Sequence, residues 1–176
     1  MKKFLALLLA AMMLLASASV LAEEATSPTD EINEPTLMDD AQVIIITELG
    51  EKGNEVFNQL NEKIANGESV LDLFSDETKA AVEALIDTPV VHEMFGVVIG
   101  PGYQEGMGDY VAPLKFGTAY EAGEAIAPIL TIGGEEFVLD AEVAEDGTVN
   151  VTFTGEQLAK LAEGAEAFVV VVNEAE

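Results

Sequence analysis

Apolar and polar positions alternate most cleanly between Ala125 and Thr154, where they predict a three-stranded antiparallel meander. Gly133-Gly134 stands between two apolar runs and suits a two-residue hairpin turn, which needs positive φ. That turn sets Ile132 opposite Glu135, Leu130 opposite Phe137, Pro128 opposite Leu139 and Ile126 opposite Ala141. Glu145-Asp146-Gly147 fits a three-residue loop with its glycine left-handed. It sets Val143 opposite Val149, Ala141 opposite Val151 and Leu139 opposite Phe153. The two turns are placed independently, and both put Phe137, Leu139, Ala141 and Val143 on one buried face. The other face carries Asp140, Glu142, Asn150 and Thr152, with Ile129 and Val138 as exceptions. Pro128 has no N–H, so its strand is expected to be an edge at that point.

The period changes N-terminal to the meander. Val43, Ile46, Leu49, Gly53, Val56, Phe57, Leu60 and Ile64 recur at helical spacing, predicting a helix over 41–66, capped by Asp39 or Asp40 and stopped by Gly67. The run Val43 to Ile46 also fits a short strand. Gly50 and Gly53 weaken a helix and suit a close approach by another backbone. Glu68 to Phe74 reads as a short helical turn, and Ser75 caps a further helix that Thr88-Pro89 stops. Val97 to Ile99 reads as a buried strand, with Val90 as an earlier starting point, and Tyr110 to Phe116 as another strand. Thr154 and Gln157 match a capping box for a helix ending before Gly164. Ala167 to Val172 is a β-branched run expected to be covered on both faces.

These elements predict an α+β fold. A helical segment, residues 41–88, packs on a small antiparallel β-sandwich, residues 89–176, with a short helix before the last strand. In architecture the sandwich resembles immunoglobulin-like domains, without their Cys and Trp hallmarks.

Composition adds a location and excludes partners. Lys2-Lys3, the apolar stretch Phe4 to Leu15 and Val20-Leu21-Ala22 read as a signal peptide over residues 1–22. Its apolar stretch is too short for an ordinary membrane span. Residues 23–40 hold seven acids, no base and two prolines, and read as a disordered acidic spacer. The expected location is therefore secreted or extracellular, and the absence of Cys is compatible with export from a bacterium. The formal net charge of −26 argues against nucleic acid and against anionic membrane surfaces. It leaves neutral sugars, peptides, cations or basic proteins as partners, so a protein or carbohydrate at the cell exterior is expected.

His92 is the only histidine, so a Ser-His-Asp set would have to use it. His92-Glu93 begins like a zinc-protease helix, but Gly96 stands where the second ligand belongs. Gly67-Glu68-Ser69 begins like a nucleophile elbow, but Leu71 replaces its closing glycine. The glycine-dense loop Gly100 to Asp109 follows a strand yet precedes another strand, which speaks against dinucleotide binding. Tyr103, Asp109, Tyr110 and His92 are the candidate ligand-binding residues. Asp140 and Glu142 are the candidate ligands of a weak calcium site, although no EF-hand spacing is present. The expected function is an exported, non-enzymatic binding or structural module. The alternative is a carboxylate-rich, calcium-dependent binder or hydrolase.

Overall fold

The computed structural model describes residues 35–175; the expected signal peptide, residues 1–22, and residues 23–34 of the expected spacer lie outside them. The described chain is α+β, with two antiparallel sheets and three helices. The first sheet has the order β1-β4-β8-β7, from Thr36–Leu37, Tyr110–Lys115, Val149–Phe153 and Asp140–Val143. The second has the order β2-β3-β9-β5-β6, from Ile44–Thr47, Pro89–Ile99, Ala167–Glu174, Ile126–Ile132 and Glu135–Val138. Helix α1 is Glu51–Asn66, α2 is Asp76–Glu83 and α3 is Gly155–Ala162, with a 3-10 turn at Val70–Leu73.

Side-chain alternation in β9 explains how three layers share one strand. Val169 and Val171 point between the sheets, where they meet Leu114, Leu130, Val149, Val151 and Phe153. Phe168, Val170 and Val172 point the other way, beneath the helices, with Leu60, Leu71, Val82 and Ile86. Each such fully buried aliphatic side chain contributes roughly 1.5–3 kcal/mol. The valine run is therefore covered on both faces, as its composition predicts.

The meander register is as expected at both turns: Ile132 faces Glu135, Leu130 faces Phe137, Val143 faces Val149 and Ala141 faces Val151. Gly133, Gly134 and Gly147 have φ of 58°, 95° and 77°, the values that their turns demand. The meander nevertheless divides between two sheets. Its middle strand breaks at Leu139, so β6 stays in the second sheet and β7 joins the first. Pro128 supplies the reason. Leu139 N–H donates to Pro128 O at 2.8 Å, but the proline has no N–H to return the bond. The ladder ends there, and β5 is an edge beyond that point on that side. Leu139 itself is 3% exposed, between the sheets.

The predicted helix over 41–66 needs correction. It begins at Glu51, after Gly50, while Ile44–Thr47 form β2 opposite Gly96–Ile99. Three isoleucines and a threonine fit a pleated surface, and pairing with β3 decides between the two periods. Thr36 and Leu37, expected in the spacer, likewise pair with Lys115 and Leu114 as β1. What approaches Gly50 and Gly53 is a carboxylate and not a backbone: Glu166 Oε1 accepts from Gly53 N–H at 3.0 Å. A side chain on Gly50 would occupy the place of that carboxylate. Glu166 thus satisfies a donor in the first turn of α1, where negative charge is favoured.

Candidate functional site

Among the described residues, the least ordinary polar group sits beside a β-bulge. On β9, Val172 and Val171 are adjacent, but their partners on β3 are Val91 and Glu93, so His92 is the extra residue. Val91 faces the helices together with Met94, where unbroken alternation would turn it inward, and the extra residue accounts for the change of face. Past the bulge, Glu93 shares the face of Phe95 and enters the space between the sheets. Asn173 reaches the same space from β9, opposite Ile126. Tyr120 and Glu124 close it from the connection between β4 and β5.

Five polar side chains meet at this mouth of the sandwich. Tyr120 and His92 share a hydrogen bond of 3.0 Å between the hydroxyl and Nδ1, with the donor set by the imidazole tautomer. Asn173 Nδ2 donates to Glu124 Oε1 at 3.3 Å. Glu93 Oε1 lies 3.8 Å from His92 Nδ1, beyond hydrogen-bond reach. Glu93 Oε2 and Asn173 Oδ1 are buried without a partner. Phe116 stacks edge-on to Tyr120 at 5.4 Å, continuing the aromatic wall into the core.

Burial disfavours charge on Glu93, His92 and Tyr120. Burial pushes the Glu93 carboxyl up to about 7. Burial also holds the His92 imidazole below its ordinary value, against a weaker opposing pull from Glu124. The Tyr120 hydroxyl is raised by burial first, then by the Glu93 and Glu124 charges. At neutral pH, His92 and Tyr120 are therefore uncharged, and Glu93 can take up or release one proton. The mouth thus holds one buried carboxyl, Glu93, with an oxygen that no protein group satisfies.

The sequence candidates lie elsewhere, His92 excepted. The glycine loop leaves the far end of the eleven-residue β3, roughly 25 Å of strand from His92. Tyr103 is half-buried against the inter-sheet core. Tyr110 is buried, and its hydroxyl donates to Asp39 Oδ2 at 2.7 Å. Burial first, and that bond second, raise the Tyr110 hydroxyl. Asp109 accepts from Gly155 N–H at 3.0 Å, at the start of α3. The four ligand candidates thus do not converge. The loop glycines have a structural use, because Gly100 N–H and Gly102 N–H donate to Val43 O and Gln42 O, at 2.9 and 3.0 Å. Asp140 and Glu142 stand exposed on the outer face of the first sheet, opposite Thr152 and Asn150. Among the described residues, no three acidic or imidazole side chains are grouped so as to hold a metal ion.

Sequence reasoning missed Glu93, Tyr120, Glu124 and Asn173. The available signal was an acid inside the apolar run from Val90 to Ile99. The fold is α+β, with two antiparallel sheets and helices, and among the described residues Glu93 is its one buried acid. Comparison with protein-family models, with characterised proteins and with solved structures finds no match.

Proposed function

We propose that the chain is an exported, non-enzymatic binding or structural module acting at the cell exterior. The observation that carries this reading is how its carboxylates are used. Asp39, Asp109, Glu136, Glu166 and Glu174 each accept a hydrogen bond from a group 46 to 113 positions away. They fasten loops and helix starts to the sheets, and do not face a common cavity. In a chain without cysteine, such contacts join distant segments where an exported protein could use disulfides. Two antiparallel sheets around a shared core support an immunoglobulin-like scaffold for that role.

Incubation with ester, peptide and glycoside substrates is expected to give no turnover. Millimolar calcium, or a chelator, is expected to leave the melting temperature unchanged, since a ligand of the folded state would raise it. Turnover abolished by Glu93→Gln or His92→Ala, or melting that rises with calcium, would overturn this reading.

A further inference from the structure

Strand β6 is the last strand of the second sheet, so one of its sides has no neighbouring strand. Its register with β5 determines which groups face outward. Glu135 and Phe137 face Ile132 and Leu130 across the hairpin, and Leu139 N–H bonds to Pro128 O. These odd positions turn their backbone groups inward, so Glu136 and Val138 turn theirs outward. Among the described residues, no hydrogen bond reaches the outward N–H and C=O groups of Glu136 and Val138. Free groups of this kind are a template for another strand.

The edge lies in an open groove of about 660 Å³. Ser75, Thr78 and Ala81 form one wall, at the start of α2, and Gln157 of α3 stands on the other. Charge selects the composition of an occupant. Glu77, Glu135 and Glu136 line the groove, and no basic side chain lines it. Lys160 pairs with Glu135 and covers the Phe137 ring at 4.9 Å, on the α3 side. Glu136 takes hydrogen bonds from the Ser75 N–H and hydroxyl, both neutral donors, so the α2 side keeps its negative charge.

We propose that β6 is a docking edge for an extended, basic segment of a partner polypeptide, added as a sixth strand of the second sheet. Backbone pairing with Glu136 and Val138 supplies the binding, and lysine or arginine side chains on the α2 side meet Glu77 and Glu136. The occupant is foreign. Residues 23–34 carry five acids and no base, and a second copy brings a net charge of −26. Like charge opposes both. The proposal goes beyond the binding-module reading and holds whether or not the chain catalyses a reaction.

The test uses the full chain without its expected signal peptide and an eight-residue, end-blocked peptide alternating lysine and valine, at low ionic strength. Saturable binding is expected, with slowed amide exchange at Glu136 and Val138. A peptide alternating glutamate and valine is expected not to bind. Val138→Pro removes an outward N–H that the sheet does not use, and Glu77→Lys reverses a wall charge. Each is expected to weaken binding about tenfold, the effect of one lost backbone or charge-assisted contact. Should Val138→Pro fail to fold, amide exchange in the unsubstituted chain decides the question. No binding, equal binding of the acidic peptide, or unchanged exchange at the two amides would overturn the proposal. So would protection of both amides in the free chain. Independent of concentration, it would mean occupation by the chain's own segment; growing with concentration, occupation by a second copy.

Discussion

Glu93→Gln is expected to stabilise the chain at pH 8 relative to its effect at pH 4, by about 3 kcal/mol. Below its ordinary value of 4.5, the Glu93 carboxyl is neutral in both folded and unfolded chains, and burial carries no charge penalty. Between 4.5 and about 7 the unfolded chain ionises there and the folded chain does not. The folded state then holds the extra proton, so stability falls as pH rises through that window. Above about 7 the loss is complete. Glutamine does not titrate, so the variant lacks this fall. The comparison between two pH values cancels whatever the buried amide costs in its own right. Read as melting temperature, the pH-dependent difference is about 6–12 °C for a domain of this size. The check is thermal or denaturant unfolding of both chains across pH 4 to pH 8. Equal pH profiles would mean that Glu93 is paired or solvated, contrary to its burial.

The second large effect is expected at Gly102. A Cβ there would lie 1.7 Å from Ala41 O and 2.9 Å from Ala41 C. Both atoms are backbone, so no side-chain rotation relieves the clash. The segment Ala41 to Val43 must move away, losing the hydrogen bonds from Gly100 and Gly102. It leads directly into β2, where Ile44 is fully buried. Gly102→Ala is expected to cost about 3–5 kcal/mol, in the range of severe overpacking and lost pairing. Gly108→Ala, in the same loop, meets nothing within 4 Å and is expected to change stability by less than about 0.5 kcal/mol. Urea unfolding of the two variants distinguishes a loop kept glycine-rich for backbone approach from one kept so for a ligand. Similar small effects at both positions would remove the structural explanation.

The turns of the meander were legible because glycine at positive φ leaves few alternatives, and alternation then fixes every pair between them. The division of that meander between two sheets was not legible as such. Its one trace was Pro128, whose missing N–H marked an edge without saying where the partner strand went. Val43 to Ile46 satisfied helix and strand periods alike, and only pairing with Gly96–Ile99 resolves it, as the strand Ile44–Thr47. The candidate site was half legible. His92 stood out by being unique, yet its neighbours come from positions 120, 124 and 173, brought together by tertiary structure. The bulge that turns Val91 toward the helices leaves no local mark, because nothing between Val91 and Glu93 demands an extra residue. Acidic clusters drew attention to Asp140 and Glu142, whereas the acids that fasten distant segments occur both singly, as Asp109 and Glu166, and in adjacent pairs, as Asp39 and Glu136.

Titrating the side-chain carboxyls one by one by NMR, from pH 2 to pH 9, bears most directly on whether these acids fasten the fold or form an active site. Glu93 should titrate near 7. Glu174 should titrate below the usual range, held there first by the Thr88 hydroxyl and also by the N–H groups of Asp87 and Thr88. A second carboxyl raised together with Glu93 would mark a coupled catalytic pair and contradict the structural reading, as would an ordinary value at Glu93 itself.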